Sequence, residues 1–252
     1  MFDTLNSVVD YYLTGGADKH EVIYRAFDEN IKKHNLALFT AFNAAEGFGE
    51  DAFCWNWQLL VDAMPSDGFK FLEIGVFKGR VLGVVQLLAA AMKKPCEIYG
   101  LTPLTNVGDK YSKYDDEKYS YSLVLNLNKM GASSDNINII RGLSTDSAAI
   151  TEARSDGPYD IIYIDGCHDY EVVCQDIDNY LPMLKPGGYL VMDDASLLLT
   201  SPYGRFLGHA DVCRAIKEKV DTRLDLTHLF AVGHNRVWRL VAQAPLEKPH
   251  KN

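Results

Sequence analysis

The sequence predicts an α/β fold built on a mostly parallel sheet, and three stretches carry that prediction. The first is a strand–helix–strand unit over residues 159–194, in which two apolar runs flank a segment with helical periodicity. The second is a strand over residues 69–74 that leads through a glycine loop into an apolar helix at 80–92. The third is a pair of apolar runs, 226–232 and 236–241, which predicts a closing antiparallel hairpin.

The central unit justifies the parallel part of the sheet. Its first strand, over 159–164, ends abruptly at Asp165, and its second, over 189–192, ends at Asp193. Between them the apolar residues recur at helical spacing until a Lys-Pro-Gly-Gly turn stops the helix. The two strands of such a βαβ unit are parallel, and the crossover between them should be right-handed.

The rest of the chain is assigned in order. Residues 1–66 have a helical period, which fits either an appendage packed on the main domain or a lid or oligomer contact beside the site. Trp55 and Trp57 in this segment fit a core, or stacking on a ligand. The main domain is predicted to cover 67–243, followed by a flexible tail at 244–252. Between these elements we predict strands at 97–101 and 136–141, helices at 122–130 and 210–220, and long loops at 102–121 and 200–208.

Composition limits the partners and the compartment. The net charge of −9 over 252 residues argues against nucleic acid, whose phosphates require a basic surface. The five cysteines are odd in number and contain no Cys-x-x-Cys pair, which favours reduced thiols in a cytoplasmic protein. The chain begins without the basic segment of a signal peptide, and its longest nearly uncharged run, 81–92, is too short to cross a membrane. We therefore expect a small-molecule partner and no membrane partner.

Three carboxylates should meet where the two central strands end. Parallel strands finish at one edge of a sheet, so Asp165, Asp193 and Asp194 are expected to lie together there. Oxygen donors without cysteine or paired histidine favour Mg²⁺, with Mn²⁺ or Ca²⁺ as alternatives, over zinc. The competing interpretation is three solvated loop acids, with Asp194 capping a helix.

His168 follows Asp165 by one short turn and is the candidate general base. Its imidazole is the only side chain of the central unit whose ordinary pKa suits a base near neutral pH. The alternative is a histidine that caps the helix beginning near Tyr170.

The loop after the first strand is a candidate ligand site. Gly75 and Gly79 allow the chain to turn into the helix and a ligand to approach the backbone, with Glu73 at the strand end. Only G-x-x-x-G is present, which weakens a dinucleotide interpretation. A plain turn between strand and helix is the alternative.

A tyrosine-rich loop follows the second strand. Tyr111, Tyr114, Tyr119 and Tyr121 accompany an acidic run at 115–117. This composition suits a hydroxylated, ring-shaped substrate and equally a solvated surface loop.

The motifs LEIGVFKG and YDIIYIDGCHDYEVVCQDIDNYLPMLKPGGYLVMDD carry a family resemblance. The first resembles the opening motif of class I S-adenosylmethionine-dependent methyltransferases. The second resembles the D-G-x-H core of the metal-dependent sugar O-methyltransferases, such as the mycinamicin and macrocin enzymes. The likeness covers residues 69–241 and implies a Rossmann-like sheet of seven strands, mostly parallel, with helices on both faces and one antiparallel strand near its end.

The resemblance also implies roles for individual residues. Glu73, Gly75 and Gly79 would hold the methionine part of the cofactor. Leu143 and Ser144 would lie near adenine. The implied Mg²⁺ ligands are Asp165, Asp193 and Asp194, with Asp165 also counted among the cofactor contacts, and the implied general base is His168.

Two positions depart from the family pattern. Thr102 stands where an acid usually binds the ribose hydroxyls, and a neutral hydroxyl forms a weaker hydrogen bond than a carboxylate. Either Asp109 or another loop residue takes the place of the acid, or Thr102 makes the contact and cofactor affinity is low. Arg80 replaces a small hydroxyl residue after the second glycine. The expected activity is Mg²⁺-dependent methyl transfer from S-adenosylmethionine to a sugar hydroxyl. A catechol-like acceptor and a non-catalytic metabolite-binding protein are the alternatives.

Overall fold

The computed structural model describes residues 2–113, 119–199 and 204–241. Tyr114, the acidic run at 115–117, the start of the loop predicted at 200–208 and the predicted tail at 244–252 lie outside these residues. Nine α-helices are present in the described part of the chain: α1 Leu5–Thr14, α2 Lys19–His34, α3 Leu36–Ala44, α4 Asp51–Asp62, α5 Arg80–Ala91, α6 Tyr119–Met130, α7 Ser147–Asp156, α8 Tyr170–Tyr180 and α9 Ala210–Lys219. The strands are β1 Phe69–Ile74, β2 Cys96–Thr102, β3 Ile137–Arg141, β4 Tyr159–Ile164, β5 Leu184–Met192, β6 Leu226–Val232 and β7 Asn235–Leu240.

One sheet holds all seven of these strands, in the order β3-β2-β1-β4-β5-β7-β6. The pairs from β3 to β5 are parallel, whereas β7 runs antiparallel to both β5 and β6. The predicted seven-stranded sheet with a closing hairpin is thereby confirmed. The strand order reverses between β1 and β4, and an open α/β sheet binds its ligands in the crevice at such a reversal.

Helices cover both faces of the sheet because alternate residues of each strand point to opposite sides. Phe71 of β1 packs against Trp57 of α4, with ring centroids 5.7 Å apart, and Tyr163 of β4 meets the same indole at 5.0 Å. Leu72, the next residue of β1, belongs to the core on the opposite face, with Ile177 of α8.

The N-terminal helices share the first of these cores. The buried side chains of α2 and α4 form one cluster with those of β1, β4, β5 and β6. Trp55 and Trp57 are both buried, and the Trp55 indole N–H donates to the carbonyl of Phe2 at 2.9 Å. A domain boundary at residue 66 remains a prediction. No helix in the described ranges combines the length and apolar character that crossing a bilayer requires.

Three elements differ from the sequence-based assignment. α6 begins at Tyr119, inside the loop predicted at 102–121, so Tyr119 and Tyr121 lie on a helix. α8 ends at Tyr180, and the Lys-Pro-Gly-Gly segment expected as a turn lies within β5, where its pairing with β4 shifts register between Tyr159 and Ile161. α7 was not predicted, because alanines form its buried side and give little hydrophobic contrast.

Candidate functional site

Two glycines shape the β1 loop for reasons internal to the fold. Gly75 has a φ of 94°, and a Cβ there would lie 2.1 Å from the carbonyl oxygen of Asp165. Gly79, with a φ of 71°, precedes α5, and its Cβ would lie 3.3 Å from Leu123 of α6. The loops after β1 and β4 are therefore in backbone contact, and a side chain at Gly75 would force them apart.

Two adjoining cavities lie at the carboxyl ends of the strands. The larger, of about 380 Å³, is lined by five predicted site residues outside the shared wall: Glu73, Gly79, His168, Asp193 and Asp194. Arg80 also lines it. The smaller, of about 210 Å³, is lined by Thr102, Leu143 and Ser144, among others. Gly75, Phe77 and Asp165 line both. The fold thus brings every predicted cofactor, cation and catalytic residue to these two spaces.

Glu73 is buried and lines the larger cavity. Its Oε2 has no hydrogen-bond partner among the described residues. Burial raises the pKa of this carboxyl to about 8. A buried carboxylate with an open oxygen favours a ligand that brings a positive charge or a donor.

The three acids line the same cavity. Burial and the neighbouring charge of Asp193 hold the pKa of Asp165 well above its usual range, and burial also raises the pKa of Asp193. Two neutral donors contact them: the Tyr163 hydroxyl donates to Asp165 (3.0 Å) and the Asn235 amide donates to Asp193 (2.8 Å). Asp194 adopts a φ of 53°, an unusual conformation for a non-glycine residue.

His168 lies between two carboxylates. Its Nδ1 is 2.6 Å from Asp109 Oδ2 and its Nε2 is 2.9 Å from Asp194 Oδ2. Burial alone would lower the pKa of this imidazole, but the hydrogen bonds and charges of Asp194 and Asp109 outweigh it and raise the pKa to about 9. The ring is engaged by these side chains, and Asp169 is the residue that precedes α8.

Asp109 is a site residue whose position the sequence analysis missed. Its oxygens accept hydrogen bonds from the backbone N–H groups of His168 (2.8 Å), Tyr111 (2.8 Å) and Ser112 (2.7 Å), besides the His168 ring. Burial acts to raise the pKa of Asp109, but these donors outweigh it and lower the pKa. The candidate ribose acid is thus bound to His168.

Two histidines also reach the site without any signal in the sequence. His209, just before α9, stacks on Tyr111 with ring centroids 4.2 Å apart, and its Nε2 lies 3.4 Å from Asp194 Oδ2. His234, in the turn between β6 and β7, lies 3.4 Å from Asp193 Oδ1 through its Nε2. Within the described ranges, donor atoms close enough to hold one ion form two groups that share Asp194. One contains His168 and His209, and the other contains Asp193 and His234.

Thr102 and Arg80, the two residues that depart from the family pattern, both form hydrogen bonds with nearby backbone groups. Thr102 is buried beside the smaller cavity, and its hydroxyl accepts from the N–H of Leu104 at 3.3 Å. Arg80 donates to the carbonyls of Ala45 (2.6 Å) and Phe48 (3.2 Å). Arg80 therefore fastens the segment between α3 and α4 to the start of α5, on the rim of the larger cavity.

Comparison with known proteins places this architecture in a family. Residues 72–195 match the family model described as a methyltransferase domain. A curated relative, the uncharacterized protein R132 of Acanthamoeba polyphaga mimivirus, is 29% identical over 137 residues. That alignment spans 54% of this chain and only 55% of the relative.

Solved structures share the fold at low identity. An O-methyltransferase from Bacillus cereus in complex with SAH has a TM-score of 0.55 and 18% identity, over 86% of this chain and 97% of its own. A putative O-methyltransferase from Klebsiella pneumoniae has a TM-score of 0.54 and 15% identity, over 88% and 99%. The MycE methyltransferase of the mycinamycin biosynthetic pathway, in complex with Mg, SAH and mycinamycin VI, has a TM-score of 0.50 and 16% identity, over 88% and 64%. Residues 72–195 thus match a methyltransferase domain, and the chain shares the fold of solved S-adenosylmethionine-dependent O-methyltransferases.

Proposed function

We propose that the protein transfers the methyl group of S-adenosylmethionine to a hydroxyl of a sugar or glycoside, assisted by a divalent cation for which the oxygen donors predict Mg²⁺. The observation that carries the proposal is the shared lining of the larger cavity: Glu73 and the β1 loop face the same space as His168 and the acids. Methyl donor and acceptor would meet there. The sequence resemblance to sugar O-methyltransferases supports the acceptor class.

The residues present fit S-adenosylmethionine. The open Oε2 of buried Glu73 suits the ammonium group of the methionine part, which would also favour ionisation of this carboxyl. Thr102, Leu143 and Ser144, around the smaller cavity, suit the ribose and adenine. The two cavities adjoin at Gly75, so one extended ligand can occupy both.

The acids fit a divalent cation. Asp165 and Asp193 have raised pKa values because they are buried close to other carboxylates without a positive partner sufficient to offset the repulsion. A cation held by Asp193 and Asp194, whose oxygens lie in one donor group, would reduce that cost for these acids and for the neighbouring Asp165, the third predicted ligand. The MycE complex, which contains Mg together with SAH, supports a cation in this fold.

Proton removal and orientation are the tasks of the chain's own residues. S-adenosylmethionine would supply the methyl group from its sulfonium sulfur, and His168 Nε2 would receive the proton that the acceptor hydroxyl loses. Asp109 fixes the ring through Nδ1 at 2.6 Å. A bound divalent cation supplies positive charge that stabilises the developing alkoxide and counters the carboxylates that keep His168 protonated. The products are a methyl ether and S-adenosylhomocysteine.

A catechol-like acceptor is the second candidate. Three phenylalanines line the larger cavity, and two of them, Phe48 and Phe77, stack with ring centroids 5.2 Å apart. Such a wall suits a flat aromatic ring as well as the apolar face of a sugar. A vicinal diol on either scaffold could be oriented by the same cation.

The test is a cofactor titration followed by a transfer assay. Calorimetry should detect binding of S-adenosylmethionine to the purified protein. Labelled cofactor is then offered with glycosides and with catechols that carry vicinal hydroxyls, with Mg²⁺ and after EDTA treatment. We expect transfer to a glycoside that EDTA abolishes and Mg²⁺ restores.

Three other results would each contradict a different part of the proposal. Transfer to catechols alone selects the second acceptor class. Transfer that survives EDTA overturns the cation role. Tight cofactor binding without transfer to any acceptor would indicate a non-catalytic binding protein.

A further inference from the structure

We propose that His234 is a direct ligand of the cation held by Asp193 and Asp194, so that the site contains an imidazole nitrogen and selects a first-row transition ion such as Mn²⁺ or Co²⁺ over Mg²⁺. The inference rests on the proposed function only in placing a cation at these acids. It does not depend on the acceptor, or on turnover.

The geometry brings three donor atoms to one point. His234 Nε2 lies 3.4 Å from Asp193 Oδ1, and one ligand atom from each of His234, Asp193 and Asp194 lies within 4.8 Å of the others. Ligand atoms bound to one ion at about 2.0 to 2.3 Å are separated by distances of this order. Small side-chain adjustments would therefore suffice to close the three donors around an ion.

Burial gives a second and independent reason. His234 is 7% exposed and lines the larger cavity together with the acids. Its Nε2 lies 3.4 Å from Asp193 Oδ1, beyond the usual length of a hydrogen bond. A cation between this nitrogen and the carboxylates would give both of them a partner.

The ring is also held in place. Phe53 of α4 contacts it edge-on at 4.7 Å, and Phe206 contacts it at 5.3 Å. The His234 carbonyl accepts from the N–H of Ala195 at 2.7 Å, immediately after the acids. The imidazole and the two carboxylates thus belong to one rigid frame at the ends of β5 and β6, as a preorganised metal site requires.

His209 is a less suitable ligand although it also approaches Asp194. Its group requires His168 as the third member, and both ring nitrogens of His168 already contact carboxylates. The His209 side chain is 20% exposed and stacks on Tyr111. This makes His209 a matched control: a second histidine at the same carboxylate that should not bind the ion.

A nitrogen ligand changes which ion the site prefers. Carboxylates alone suit Mg²⁺, whereas imidazole binds the later divalent ions more strongly. His234→Asn replaces the nitrogen with an amide oxygen of similar reach. That variant should lose roughly 10- to 100-fold in affinity for Co²⁺, a loss of the size found when metal-site partners are removed, and little in affinity for Mg²⁺.

The decisive measurement is pulsed electron paramagnetic resonance on metal-free protein reloaded with Mn²⁺. The wild-type spectrum should contain modulation from one directly bonded imidazole ¹⁴N, which changes to that of ¹⁵N in protein labelled with [¹⁵N]histidine. The modulation should disappear in His234→Asn and persist in His209→Asn. Calorimetric titration of each variant with Co²⁺ and Mg²⁺ gives the affinities.

Absence of nitrogen modulation in the wild type overturns the inference, as does modulation that survives in His234→Asn or vanishes in His209→Asn instead. Cofactor titration of each variant verifies folding. If His234→Asn does not fold, His234→Gln and the isotope experiment on wild-type protein still decide. The two proposals can fail separately. Methyl transfer without the nitrogen signal would contradict only the assignment of His234 as a ligand. A clear nitrogen signal without methyl transfer would contradict only the proposed function.

Discussion

At the residue scale, the position of His168 between Asp109 and Asp194 determines how its ring can act. We expect His168→Ala to lose roughly 10²- to 10⁴-fold in turnover, the usual share of general-base catalysis. Affinity for S-adenosylmethionine should change little. If the ring instead stabilised the start of α8, the variant would lose about 1 kcal/mol of stability and little activity. Turnover and melting temperature measured on one preparation separate the two roles, and a destabilised but fully active variant would exclude the base.

Asp109 should act as a positioning residue through His168. Asp109→Asn keeps the size of the side chain but removes the charge beside Nδ1. We expect kcat to fall at least tenfold, with the KM for cofactor little changed, because the ring loses its fixed orientation. The double variant with His168→Ala should be no slower than His168→Ala alone, since both changes act through one group. Additive losses would show that Asp109 acts elsewhere.

Glu73 offers a test of cofactor recognition. Glu73→Gln retains the shape but removes a charge-assisted bond to the cofactor ammonium, which should weaken binding by about 1.5 to 3 kcal/mol. Stability should not fall, because the carboxyl is buried with one oxygen unpaired. Glu97→Gln on β2 is the control, since the Glu97 side chain is 58% exposed and pairs with Lys70 outside both cavities. Equal calorimetric affinities for the two variants would contradict the assignment.

At the scale of elements, Arg80 connects α5 to the segment at 45–49. Arg80→Met preserves the aliphatic stem and removes both hydrogen bonds, to Ala45 and Phe48. We expect faster amide hydrogen exchange over residues 45–50 and weaker cofactor binding, because Gly47, Phe48 and Gly49 line the larger cavity. Arg25→Met is the control, an exposed α2 arginine paired with Glu21. Unchanged exchange in Arg80→Met would mean that the segment is held by other contacts.

Elements with strong periodicity or a strand-end motif could be predicted from the sequence, and those defined by tertiary contacts could not. β1, β4 and β6 have the predicted bounds, because each is an apolar run with turn residues beyond it. α7 buries only alanines such as Ala149 and Ala153, so its pattern was too weak. In β5, the pairing of Leu184 with Tyr159 extends the strand through a segment whose local sequence favours a turn.

The same distinction applies to the site. Asp165, His168, Asp193 and Asp194 could be predicted together because one βαβ unit carries them all. Asp109, His209 and His234 come from separate loops, and local spacing contains no information about where such loops fold back. Asp109 lies 59 positions from His168 along the chain and yet accepts hydrogen bonds from its backbone and ring.

At the scale of the whole molecule, two histidines make the contact between the N-terminal helices and the sheet sensitive to acid. Tyr12 of α1 lies edge-on to His20 of α2 and to His228 of β6. Burial lowers the pKa of His20 to about 4 and that of His228 to about 3, with the charges of Lys19 and Arg236 acting in the same direction. Both rings are therefore neutral in the folded protein at pH values where they would be charged in the unfolded chain.

The sign of the pH dependence follows from these values. Because both folded-state pKa values lie below the unfolded value of about 6.5, the unfolded chain binds more protons as the pH falls below it. The contribution of these two rings to the free energy of unfolding should decrease from pH 7 towards pH 4, whereas the buried acids with raised pKa values act in the opposite direction. Urea denaturation at several pH values isolates the histidine contribution as a difference from the wild type. On acidification His228→Gln should lose less stability than the wild type, whereas His34→Gln, at an exposed histidine of α2, should follow the wild type. Equal slopes for the two variants would exclude this origin.

The backbone contact between Gly75 and Asp165 has a thermodynamic consequence for the whole site. These residues form a common wall of both cavities, and a Cβ at position 75 would lie 2.1 Å from the Asp165 carbonyl oxygen. We expect a cofactor that spans both cavities and a cation in the larger one to be coupled through this wall. By reciprocity, whatever factor a bound cofactor applies to the affinity for the cation, the cation applies to the affinity for the cofactor. The apparent affinity of each ligand would then depend on the concentration of the other.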